Sequence, residues 1–119
     1  MYFMLAADVD THCASLRGTT LDFPFGPEIK VWKVGSKMFA AYATDGSGIS
    51  VKCRTAHSAS VLIELGKATQ PPYLREGGWV MIGWNRPRSE IMDRVTTSYE
   101  VVLSTLSPAR RLSAGSAER

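Results

Sequence analysis

Between Glu28 and Arg54 the apolar positions recur at every second residue, and glycine interrupts the run twice. Ile29-Lys30-Val31-Trp32-Lys33-Val34 and Lys37-Met38-Phe39-Ala40-Ala41-Tyr42-Ala43 flank the pair Gly35-Ser36. A two-residue loop led by glycine supplies the positive φ that a type I′ or II′ turn needs, so this stretch predicts a β-hairpin. Thr44-Asp45-Gly46-Ser47-Gly48 reads as the next turn and Ile49-Ser50-Val51-Lys52-Cys53-Arg54 as a third strand, completing an antiparallel meander.

Elsewhere the period is helical. Asp8 or Asp10 is placed to cap a short first helix running to Leu16 and stopped by Gly18. The two prolines of Phe23-Pro24-Phe25-Gly26-Pro27 predict a surface connection. Thr55 caps a second helix with Ala59, Leu62 and Ile63 on one side and Gly66 at its end, and a loop follows through Pro71-Pro72-Tyr73 to Gly77-Gly78. Trp79 to Trp84 then reads as a late, buried strand. Ser89 caps the longest helix, whose stripe Ile91, Val95, Ser98, Val102 and Leu106, widened by Met92, Tyr99 and Leu103, suits packing on a sheet. The pattern is that of an α+β domain over residues 1–106, an antiparallel sheet of meander plus late strand with helices packed on one face. A polar tail, expected to be flexible, occupies 107–119.

Composition narrows the function classes. The chain has 119 residues, 45% apolar and 21% charged, which suits one folded domain with its own core. Its net charge of +3 resides largely in the tail, because residues 1–106 hold eleven Lys and Arg against ten Asp and Glu. Bulk charge thus lends nucleic-acid binding little support. No apolar run is long enough to span a bilayer, and the apolar start at Met1 lacks the basic residues of a secretory signal. Two cysteines, Cys13 and Cys53, make no disulfide framework, so a reducing cytoplasm is the expected location.

Phe25-Gly26-Pro27-Glu28-Ile29-Lys30-Val31-Trp32-Lys33-Val34-Gly35-Ser36-Lys37-Met38-Phe39-Ala40 resembles the signature hairpin of the MmcQ/YjbR family. Val51-Lys52-Cys53, Trp79-Val80 and Ser98-Tyr99-Glu100-Val101-Val102 match further family strings in register, while Arg54-Thr55 departs from an Asp-Pro pair common there. The resemblance implies a CyaY-like fold, and DNA as a partner by likeness to a "double wing" motif. Fold likeness alone is a weak warrant for function.

Strand parity defines a candidate surface. A hairpin closed at Gly35-Ser36 pairs Val34 with Lys37, Trp32 with Phe39 and Lys30 with Ala41, placing all six on one face. Lys52 and Arg54 join that face, and Arg86 and Arg88 extend it. Met38, Ala40, Tyr42, Ile49, Val51 and Cys53 form the other face, expected to be core. Cations among flat rings are what a weak, low-specificity nucleic-acid surface needs. The competing expectation makes Trp32 and Phe39 core and gives the protein a protein or small-ligand partner, met on an apolar patch near Trp79 and Trp84.

Catalytic and metal chemistry find little foothold, so no enzyme, cofactor or metal is expected. His12, Cys13, Cys53 and His57 match no closed zinc-ligand spacing, and a Cys53–His57 nucleophile lacks a third group to orient it. Gly35-Ser36-Lys37 lacks the upstream glycine and the helix of a phosphate loop. Asp8, Asp10, Asp22 and Glu28 are expected to be solvated caps and turns.

Overall fold

The loop at Gly35-Ser36 does close a hairpin, and both its residues have positive φ, 56° and 70°, as a type I′ turn demands. A side chain at position 35 would also collide with Leu106, whose Cδ1 lies 2.5 Å from where a Cβ would stand. The computed structural model describes residues 2–72, 74 and 77–109. The elements are α1 (Tyr2–Ser15), β1 (Thr19–Asp22), β2 (Ile29–Val34), β3 (Lys37–Ala43), β4 (Gly48–Lys52), α2 (Ala56–Glu64), β5 (Trp79–Gly83) and α3 (Arg88–Thr105). The strands form one antiparallel sheet in the order β1-β2-β3-β4-β5.

Helix α3 lies across β2, β3 and β4, α1 packs beside it and on β1, and α2 packs on β5. Val9 and Cys13 of α1, Ala59 of α2 and Ile91, Val95 and Val102 of α3 share one core cluster with Val34, Phe39, Ile49, Val51, Val80 and Ile82 of the sheet. The helices therefore cover one face, and among the described residues no helix lies on the other, called the bare face below. The stripe expected on α3 is buried as the spacing required, Leu106 included.

Several local expectations need correcting. Asp8 and Asp10 lie inside α1, which starts at Tyr2, so neither is its cap. Strand β1 falls in a stretch that sequence reading left between turn and helix. Pro87, not Ser89, precedes α3, and no side chain caps that helix. Thr55 does cap α2, its hydroxyl accepting from the Ser58 amide at 2.9 Å, and Gly66 ends it at φ 73°. Tyr73 and the greater part of the tail lie outside the described residues.

The decisive local feature is a β-bulge. Val34 pairs with Lys37 and Lys33 with Met38, but Trp32 pairs with Ala40, so Phe39 is one residue too many for its partner strand. Beyond the bulge Lys30 stands opposite Tyr42. One inserted residue reverses the parity of β2 relative to β3.

Candidate functional site

The bulge overturns the proposed basic and aromatic face. Trp32 is 6% exposed and Phe39 0%, and both lie beneath the helices in the core cluster. Ala40, Tyr42, Ile49, Val51 and Cys53 are core as expected, whereas Met38 turns to the bare face, on the same side as Lys33 opposite it. On β4 the expected alternation holds for Lys52, which points away from the helices between core positions Val51 and Cys53, whereas Arg54, expected on the same face as Lys52, reaches Glu100 of α3.

Most of the basic residues in the expected surface are spent on carboxylates. Lys30 meets Asp10 at 2.8 Å, Arg54 meets Glu100 at 2.9 Å, Arg86 meets Glu90 at 2.8 Å and Arg88 meets Asp8 at 3.1 Å. The Arg86 pair is bidentate and holds the Glu90 carboxyl below its usual range. Lys37 and Lys52 form no ion pair among the described residues. The eight predicted residues thus scatter over the core, the helix layer and two edges, and no single surface collects them.

What converges instead is a set of donors around Asp10. Its carboxylate accepts from Trp32 Nε1 at 3.0 Å, from Tyr42 Oη at 2.9 and 2.8 Å, and from Lys30 Nζ at 2.8 Å. Lys30 also stands 5.9 Å over the Tyr42 ring, and that ring meets Trp84 edge to face at 5.4 Å. Burial, then the hydrogen bond to Asp10, raises the Tyr42 hydroxyl well above its usual range. The cluster anchors α1 to β2 and β3. Sequence reasoning placed Asp10 in a solvated cap; the usable signal was its helical spacing from Val9 and Cys13, which puts it on the buried side.

The thiols are poor nucleophiles. Burial, with Asp10 nearby, pushes Cys13 up to about 12, and burial also raises Cys53 against the opposing pull of Arg94. His57 is exposed on the first turn of α2, and His12 Nε2 lies 2.7 Å from Thr96 Oγ1 between α1 and α3. Among the described residues no three potential ligands converge on a metal-sized space.

The bare face is the remaining surface. By register it carries Thr20 and Asp22 of β1, Ile29, Val31 and Lys33 of β2, Met38, Ala41 and Ala43 of β3, Gly48, Ser50 and Lys52 of β4, and Trp79, Met81 and Gly83 of β5. Ile29, Met38, Ala41, Ala43, Trp79 and Met81 are half-buried, so apolar surface remains open to solvent. Lys33 reaches Asp22 at 2.8 Å, running past Val31, which is only 1% exposed. That hydrogen bond, with one from the Phe23 amide, lowers the Asp22 carboxyl from its usual value. Lys52 stands directly opposite Trp79.

Among the described residues, three helices on one side of a five-stranded antiparallel sheet define an α+β class of small domain. The chain belongs to the YjbR family, whose model matches residues 14–101. Its fold is similar to that of the Deinococcus radiodurans protein DR2400, whose crystal structure is described with a DUF419 domain. The two share 22% identity at a TM-score of 0.82, over 92% of this chain and 87% of that one. No curated protein matches the chain. No helix among the described residues is long and apolar enough to cross a membrane.

Proposed function

We propose that this YjbR-family protein is a non-enzymatic binding module that works through the bare face of its sheet, and that another protein seats there. One observation carries the reading: the open part of that face is mainly half-buried Ile29, Met38, Ala41, Ala43, Trp79 and Met81 beside the uncharged Thr20 and Ser50, with charge confined to the Asp22–Lys33 pair and Lys52. Interface cores are depleted in charge and enriched in Trp and Met, whereas a phosphate-binding surface needs several free cations. Buried thiols that hold their protons are poor nucleophiles, which fits the non-enzymatic reading.

A photo-crosslinking amino acid placed at Ala43, compared with one at the exposed Ser60 of α2, tests the proposal in cells. A protein adduct specific to position 43 is the expected outcome, and its absence at both positions would sink the reading. The juxtaposition of Lys52 and Trp79 favours a second reading, a nucleic acid held by one cation and one stacking ring. That reading predicts a nucleic-acid adduct at position 43 and binding that weakens with salt and is lost in Lys52→Glu.

A further inference from the structure

The two edges of the sheet are finished differently. Beside β5, Thr69 donates to the Met81 carbonyl at 2.9 Å and accepts from the Met81 amide at 2.8 Å, so that edge is capped. No strand among the described residues pairs with the outer side of β1. Native edges are commonly protected by proline, a bulge, charged side chains or very short strands, and β1, at four residues, is short but has neither proline nor bulge. Strand β1 is Thr19-Thr20-Leu21-Asp22, and its one charge already meets Lys33 at 2.8 Å. Three of the five exposed large hydrophobics among the described residues, Leu21, Phe23 and Phe25, lie on this strand or just after it.

We propose that β1 is a strand-addition edge that pairs antiparallel with β1 of a second copy of this chain, joining two sheets into one. Parity is the argument for a second copy. Leu21 opposes Trp32 and faces the helix side, while Thr20 and Asp22 face the bare side. A two-fold axis perpendicular to the sheet keeps both helix layers on one side, and residues opposite each other across it share a face. With the axis at residue 21, Leu21 meets Leu21 on the helix side, while Thr20 meets Asp22 on the bare side.

The strand is therefore self-complementary: apolar groups meet on the side that is already apolar, and no like charges are opposed. An axis between residues 20 and 21 would oppose residues of different faces, which the pleat forbids. The inference is independent of the bare-face reading, because it uses the edge of the sheet and not its open surface.

Because the axis sets residue 21 against itself, one experiment reads both the dimer and its register. The chain and its Leu21→Lys and Leu21→Glu variants are compared by sedimentation equilibrium across a concentration series, alone and as an equal mixture of the two variants. The unaltered chain is expected to dimerise, each variant to associate about tenfold more weakly or worse, and the mixture to recover a heterodimer. A monomer at every concentration, a dimer indifferent to both charges, or no recovery on mixing would overturn the proposal. Amide exchange of the unaltered chain needs no variant: protection at residues 19–22 should rise with protein concentration, and unchanged protection would also overturn it.

Discussion

Asp10 draws donors from positions 20, 22 and 32 residues away, so its role depends on strands formed long after it in sequence. A half-buried carboxylate with three donors is a lock, because removing it leaves Trp32 Nε1 and Tyr42 Oη facing a void where they had a charged acceptor. Asp10→Ala is expected to lower stability by about 2–3 kcal/mol, the scale of hydrogen bonds to a charged group. Urea unfolding followed by tryptophan fluorescence measures it, and a loss under about 0.5 kcal/mol, the level of an inert surface change, would show that the lock contributes nothing. Residue type does not mark Asp10 apart from Asp8, which meets Arg88 in an exposed pair; only its helical spacing from Val9 and Cys13 does. Helix phase distinguishes the two, and phase is set by which residues the sheet buries.

At the scale of elements, Ser98 explains how the bulge is tolerated. Strand β3 pairs with β4 at Ala40–Val51 and Ala41–Ser50, and the next rung would join Phe39 to Lys52. The Ser98 hydroxyl of α3 stands there instead, donating to the Phe39 carbonyl at 2.5 Å and accepting from the Lys52 amide at 2.7 Å. A helix side chain thus substitutes for a ladder bond, and Ser98 is fully buried yet fully satisfied. Its neighbour Tyr99 meets the Phe39 ring edge to face at 5.5 Å and donates to the Arg17 carbonyl at 2.7 Å, so one turn of α3 fixes the bulge and the end of α1 together. Ser98→Ala leaves a buried carbonyl and a buried amide without partners and should cost about 2–4 kcal/mol, with amide exchange at Lys52 accelerated ahead of the rest of β4. Equal exchange across β4 would mean that the hydroxyl bridges nothing of consequence.

For the whole molecule, the protons held by the core set the alkaline limit. Cys13, Tyr42 and Cys53 all have raised values in the fold, chiefly through burial. Above the ordinary thiol value of 9.0 the unfolded chain releases the Cys13 proton while the folded chain keeps it up to about 12. The unfolded state then binds fewer protons, so stability falls as pH rises. The contribution is complete below pH 9.0 and is lost as pH climbs through the folded value of about 12. Thermal midpoints should decline from pH 9 upward, and more gently in Cys13→Ala; identical slopes for the two proteins would contradict the assignment.

The sequence by itself determined the hairpin turn at Gly35-Ser36, the cap at Thr55, the stripe of α3 and the core identity of Ala40, Tyr42, Ile49 and Val51, because turns, caps and periodicity are encoded within a few residues of one another. It also held the family's motifs in readable order. Only the tertiary structure decided which way Lys30, Trp32 and Phe39 point. A β-bulge has no local code in an otherwise alternating strand, and this one is sustained by Ser98, 59 residues away. With it went the composition of the uncovered side of the sheet, since the pleat converts one extra residue into an exchange of faces.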